Sequence, residues 1–210
     1  LMLQRQLAEI MCAGGQYNLG AFCAGVTPGF LAGSDERGDF SPFTPLSDSN
    51  AMVDEHGRLA AEGLPVRRLN LFASNFSRIL AHTENEQPPI VIDPASDDSA
   101  INGHAVTHMR GTQGSIVFIF SPPKSKPGTL NLLLSDGAKL PVRVGHQRVH
   151  WCMLDVHLSS SHTLDHTSLN AMAHVGNTLV LFGPANALGE VSINGTPLEV
   201  EVPKARKPLV

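Results

Sequence analysis

Leu3, Leu7, Ile10 and Met11 recur at spacings of three and four near the start of the chain. One face of residues 1–13 is therefore apolar, which predicts an amphipathic helix. Gly14-Gly15 ends it, because glycine accepts the left-handed conformation that closes helices. Residues 17–23 are short, apolar and bounded by glycines, and they predict a buried strand, which would make one αβ step of an α/β fold. Periodicity is then lost over residues 24–63, where Thr27-Pro28-Gly29, Gly33-Ser34-Asp35, Ser41-Pro42 and Thr44-Pro45 are turn signals. A loop of this length is either functional or a loosely packed connection. Over residues 64–82, Leu64, Leu69, Phe72, Phe76, Ile79 and Leu80 return to helical spacing, and Pro65 suits a first helical turn, where its missing N–H is not needed. The prolines of residues 84–94 read as a linker.

From about residue 100 the period becomes two. Strands are predicted over residues 104–109, 115–121, 129–134, 139–144, 149–158, 178–182, 190–193 and 198–202. Asp136-Gly137 and Asn194-Gly195 are hairpin turns by composition, since the tight two-residue turn asks for positive φ. Short strands separated by such turns predict an antiparallel sandwich or barrel. Within 149–158, alternation places His150, Cys152, Leu154, Val156 and Leu158 on one face, and Trp151, Met153, Asp155 and His157 on the other. Trp151 reads as packing between layers rather than as a sugar-stacking platform.

Composition narrows the classes. The 210 residues are 42% hydrophobic with a formal net charge of −4, enough for one or two globular domains and without the clustered Lys and Arg that a nucleic-acid partner needs. The basic run Lys204-Ala205-Arg206-Lys207 reads as a solvated tail. No apolar run is long enough to span a membrane. Cys12, Cys23 and Cys152 are far apart, which gives neither a disulfide framework nor zinc spacing. His104/His108 and His162/His166 have the four-residue spacing of helical zinc ligands but sit in no helical pattern, and they read as surface or turn histidines. No cofactor or metal is expected.

Residues 18–33, Asn18-Leu19-Gly20-Ala21-Phe22-Cys23-Ala24-Gly25-Val26-Thr27-Pro28-Gly29-Phe30-Leu31-Ala32-Gly33, resemble the run N-Y-Y-M-F-H-G-G-T-N-F-G-F-x-x-G of family 35 glycoside hydrolases. Asn18, Phe22, Gly25, Gly29, Phe30 and Gly33 match in register. The later family run S-Y-D-Y-D-A-P-L-x-E-x-G is similar to the stretch from Ser47 to Gly57, which keeps Asp48, Ala51, an aliphatic at Val53, Glu55 and Gly57. Arg67-Arg68-Leu69-Asn70-Leu71-Phe72 looks like the last barrel helix, and the β region, through Trp151 to Val156 and Leu179 to Ala185, looks like the accessory β domain that follows it.

The resemblance implies an α/β barrel remnant followed by an all-β antiparallel sandwich or barrel: residues 1–85 as the end of a (β/α)₈ catalytic barrel, 86–103 as a linker and 104–203 as the accessory domain. It implies a β-galactosidase-type hydrolase acting on terminal β-galactosides, with carbohydrate as partner when the barrel is complete. The substrate pocket would keep Cys23, Thr27, Ser47, Asp48 and Asn50, where the family has His, Asn, Tyr, Asp and Asp. The Tyr-to-Ser difference at Ser47 and Ser49 removes a stacking face. In that family both catalytic glutamates lie on earlier strands, so they are expected to precede Leu1, and none of the catalytic pair is expected here. The opening Leu1-Met2-Leu3 enters helical periodicity directly, as a fragment of a longer chain would. Asp35, Glu36, Asp39, Asp48, Asp54 and Glu55 read as a solvated acidic loop. On that basis the truncated helices would expose apolar faces and the chain would aggregate. The alternative is a non-catalytic carbohydrate-binding or structural β-sandwich module.

Overall fold

The computed structural model describes residues 2–20, 22–23, 25–26, 46–47, 51–54, 56–61, 63–94, 103–123 and 125–204. Helix α1 (Met2–Cys12) comes first, followed by two-residue strands β1 (Gly25–Val26) and β2 (Leu46–Ser47), then helices α2 (Gly63–Asn75) and α3 (Ser77–Leu80). The remainder is β: β3 (Thr83–Asn85), β4 (Val91–Ile92), β5 (Ala105–Gly111), β6 (Gly114–Phe120), β7 (Gly128–Leu133), β8 (Lys139–Val144), β9 (Val149–His157), β10 (Thr163–Thr167), β11 (Asn170–Val175), β12 (Thr178–Phe182), β13 (Leu188–Ile193) and β14 (Thr196–Glu201).

These strands form a seven-stranded sheet in the order β14-β13-β10-β9-β6-β5-β3, a three-stranded sheet β4-β7-β8, and the hairpin β11-β12. Every pairing within them is antiparallel. The segment read as a linker supplies β3 to the large sheet and β4 to the small one.

The large sheet is covered on both faces, which is why all of β6 and most of β9 are buried. Alternation sends Ile116, Phe118, Phe120, Trp151 and Met153 toward α1, α2 and the β11-β12 hairpin. Val117, Ile119, Cys152 and Leu154 face Leu130, Leu132, Leu140 and Val142 of the small sheet. Leu7 and Met11 of α1, with Val66, Leu69 and Phe72 of α2, are buried in the first of these cores. Most of the apolar helix faces expected to be exposed are therefore covered by the β sheet, although Ile10 of α1 stays exposed, and Phe72 lies 5.2 Å from Trp151 between ring centroids. At roughly 2 kcal/mol for each large apolar side chain removed from water, this interface holds the helices on the sheet.

Residues 17–23 do not form the buried strand that their composition predicts. Asn18, Gly20 and Phe22 are exposed, and Cys23 makes one isolated parallel bridge to Val53. The segment is anchored by side chains instead: the Tyr17 hydroxyl donates to Asn70 Oδ1 at 2.6 Å, and Leu19 packs against the core. The helix expected over 64–82 is interrupted by a turn at Phe76, where φ is −111°. Asn75 Nδ2 donates to the Leu71 carbonyl at 2.9 Å at the same place.

A buried polar network pins β9 to the hairpin. His150 Nε2 lies 3.0 Å from the Ser168 carbonyl oxygen, and its Nδ1 lies 3.1 Å from Asn170 Nδ2. Asn170 Oδ1 accepts from the Trp151 backbone N–H at 2.8 Å. With Nε2 carrying the proton, both ring nitrogens and the Asn170 amide are satisfied, as groups out of reach of water must be.

Candidate functional site

Of the positions expected to line a remnant pocket, Thr27, Asp48 and Asn50 lie outside the described residues, as do Asp35, Glu36, Asp39 and Glu55. Cys23 is exposed, and the Ser47 backbone pairs with Gly25 in the short β1-β2 ladder. That ladder sets the Ser47 backbone beside Gly25, which is two residues along the chain from Cys23. Asp54 is bound locally: it accepts from the backbone N–H groups of His56 and Arg58 and from Arg58 Nε at 2.9 Å. These hydrogen bonds, the Arg58 backbone bond foremost, hold its carboxyl below the usual range.

A second set of polar residues gathers elsewhere, through two irregularities in the large sheet. Asp155 sits in β9 with φ +54°, a conformation that aspartate tolerates better than most residues. It breaks the alternation of β9, so Val156 joins Trp151 and Met153 in one core while Leu154 stays in the other. The opposing residue must then be small. A Cβ on Gly114 would lie 2.6 Å from Val156 Cγ2, and Gly114 itself has φ +131°. In β10 the register with β13 shifts between Leu164 and His166, leaving Asp165 at the bulge. Bulges of this kind re-aim side chains and recur beside functional sites.

Asp155, Asp165 and His166 accordingly line one open cleft of about 450 Å³. His108 and Arg110 of β5 and Ser115 of β6 continue its polar side. Pro88, Pro89, Ile90, Val91, Leu133 and Leu134 form an apolar wall, with Glu86 and Asp136 at its margins. Asp165 Oδ2 accepts from the Ser192 hydroxyl at 2.7 Å and the Gly195 N–H at 2.6 Å. Those two bonds keep the carboxyl ionised below the ordinary carboxylate range. Arg110 pairs loosely with Glu86 at 3.8 Å. His108 is 6% exposed, and neither of its ring nitrogens has a hydrogen-bond partner. Burial pushes its pKa down, opposed by Glu86 and reinforced by Arg110.

The other residues considered for chemistry have structural surroundings. Trp151 is fully buried, as its strand position predicts. His162 sits in the turn after β9, with its Nδ1 3.1 Å from Ser159 Oγ and 3.0 Å from Ser161 Oγ. Among the described residues, no group of three or more His, Cys, Asp or Glu is arranged to hold a metal ion. No helix of the described residues is long and apolar enough to cross a membrane.

The polar cleft residues were not marked by sequence pattern, because they come from four strands, β5, β6, β9 and β10, and two of them sit at the irregularities. The available signal was local: an aspartate inside the apolar run of β9, and another inside Thr163–Thr167.

No protein-family model matches the chain, and no curated protein matches it. What is defined is therefore a class: an antiparallel β protein with helices packed on one face of its main sheet.

Proposed function

We propose that this chain is the C-terminal portion of a β-galactosidase-like glycoside hydrolase, carrying the last part of a (β/α)₈ barrel and the accessory β domain that follows it. In this role it serves as scaffold and pocket margin, and hydrolysis of terminal β-galactosides belongs to the complete barrel. The observation that carries the reading is the packing of α1 and α2 on the large sheet, with Leu69, Phe72, Ile116, Phe118 and Trp151 in one core. Barrel-end helices fused to an accessory domain need such a dry seam. The resemblance from Asn18 to Gly33 and from Ser47 to Gly57, which precede α2, supports this choice of family.

Retaining hydrolysis takes one carboxyl as acid and base and another as nucleophile, about 5 Å apart. The acid must hold its proton near neutral pH, which requires a raised pKa. Asp54 and Asp165 are shifted the opposite way, by donors that favour the ionised form. They suit charge placement, not protonation of a leaving group. The reading thus assigns the catalytic pair to polypeptide joined before Leu1.

The test is to express the chain with the coding sequence that precedes Leu1 and to measure release of 4-nitrophenol from 4-nitrophenyl β-galactoside. The expected result is turnover that is lost when either of two glutamates in the added segment becomes glutamine. An added segment without barrel strands bearing two glutamates overturns the reading. The alternative, a free-standing carbohydrate-binding or structural module, instead predicts galactose binding, or no sugar response, by a chain that needs no added segment.

A further inference from the structure

Asn194-Gly195 closes the β13-β14 hairpin, and both residues are exposed. An asparagine before a glycine is prone to lose its side-chain amide, because no Cβ on the second residue shields the backbone nitrogen. In that reaction the Gly195 nitrogen gives its proton to solvent and attacks Asn194 Cγ. The new N–Cγ bond closes a cyclic imide as the Cγ–Nδ2 bond breaks and ammonia leaves. Water then opens the ring at either carbonyl, giving aspartate or isoaspartate. Crowding does not prevent this, since a Cβ on Gly195 would meet nothing within 4 Å.

Three hydrogen bonds do oppose it. Asn194 Oδ1 accepts from the Thr163 N–H at 2.8 Å, and Nδ2 donates to the Ser161 carbonyl at 2.9 Å, so the amide is held against the start of β10. The Gly195 N–H, which must lose its proton, donates instead to Asp165 Oδ2 at 2.6 Å. The Ser192 hydroxyl, donating to the same oxygen at 2.7 Å, fixes that carboxylate in place. An amide anion forming there would face a like charge at contact distance. Ring closure therefore requires the side chain to leave β10 and the backbone N–H to leave Asp165 together.

We propose that Asn194 is a latent deamidation site, held unreacted by the contacts that Thr163, Ser161 and Asp165 make to the turn. Opening the turn exposes the reaction, and the product cannot take the same seat again. Aspartate presents an oxygen where Nδ2 had donated to the Ser161 carbonyl, and it brings a second negative charge beside Asp165. Isoaspartate adds a methylene to a two-residue turn whose length sets the β13-β14 register. One slow chemical event thus frees the hairpin end of β14 for good. Every residue used lies in the β region, so the inference does not rest on the hydrolase reading.

The experiment incubates the 210-residue chain at neutral pH, folded in buffer and unfolded in guanidinium chloride. Mass spectrometry of the tryptic peptide from Val149 to Lys204 follows conversion of amide to acid, and fragmentation assigns it to Asn194. That peptide excludes the chain's other Asn-Gly pair, Asn102-Gly103. The folded protein is expected to react at Asn194 at least about tenfold more slowly than the unfolded chain, the factor of one charge-assisted hydrogen bond. Asp165→Ala, shown to be folded by circular dichroism, should recover most of that difference. Asp165→Asn keeps the shape, removes the charge and should fall between the two. Equal rates in the folded and unfolded wild-type chain overturn the proposal. So does a folded Asp165→Ala or Asp165→Asn protein that reacts as slowly as the wild type.

Discussion

The Trp151 indole donates its Nε1–H to the Ala171 carbonyl at 2.7 Å, joining the central strand of the large sheet to the hairpin that lies over it. The same ring is bounded by Phe72, Phe118 and Phe182, at centroid distances of 5.2, 6.4 and 5.5 Å. Helix, sheet and hairpin therefore meet at one side chain. Trp151→Phe removes the donor and part of the volume together. The expected loss is about 2 kcal/mol, from a buried hydrogen bond and an unfilled space. Urea unfolding with an unchanged m-value measures it, and a loss below about 0.5 kcal/mol would contradict this role for the ring.

His150 makes stability depend on pH. Complete burial lowers its pKa from 6.5 to about 4, partly offset by the hydrogen bond to Ser168. Between those values the unfolded chain binds a proton that the folded chain refuses, so unfolding becomes easier as pH falls. The contribution is fully present above about 6.5 and is lost as pH falls toward 4. It amounts to something on the order of 3 kcal/mol. His108, lowered by the same cause, acts in the same direction. Denaturant midpoints taken from pH 7 to pH 4 should fall steeply, and His150→Gln, whose amide remains neutral, should flatten the profile. An equally steep profile in that variant would sink the assignment.

Gly114 is required by the close approach of Val156 and by its own positive φ rather than by flexibility. Gly114→Ala places a Cβ 2.6 Å from Val156 Cγ2 and 2.9 Å from Val156 Cα, at φ +131°. Backbone, not a movable side-chain end, would have to yield, and a loss of about 2 kcal/mol or more is expected. Gly137→Ala meets nothing within 4 Å but also has positive φ, at +83°, so it isolates the backbone term and should lose less. Thermal unfolding of the two variants side by side checks the order, and a reversed order would contradict the packing at Val156.

Asp165 latches the turn between β13 and β14 through Ser192 and Gly195. Asp165→Ala is expected to free that turn, seen as faster amide exchange at Gly195 with slower exchange retained in β9. Unchanged protection at Gly195 would show that Asn194, which accepts from the Thr163 N–H at 2.8 Å and donates to Ser161, holds the turn alone.

Much of the β region was legible because its strands alternate cleanly and its turns are chemically marked. Asn194 and Gly195 both have positive φ, at 51° and 73°, as their turn type requires. Strands β10 and β11 were missed. Thr163–Thr167 and Asn170–Val175 are rich in His, Thr, Asn and Ala, and they hold their places through Asn170, Thr167 and neighbouring strands rather than through intrinsic pattern. The first half was less legible for the opposite reason. Residues 17–23 carry strand-like composition, but among the described residues only Val53 bridges them, so side-chain anchoring decided their form. The face assignment of 149–158 held as far as Leu154 and failed beyond it, because alternation says nothing of a left-handed residue such as Asp155. The cleft was hidden by that same residue.

The most direct measurement is a long incubation of the purified 210-residue chain with 4-nitrophenyl β-galactoside, following 4-nitrophenol against buffer. The prediction is no release above background, since hydrolysis needs a carboxyl pair that the proposed role assigns elsewhere. Release that disappears on changing Asp48, Asp54 or Glu55 to its amide would contradict it.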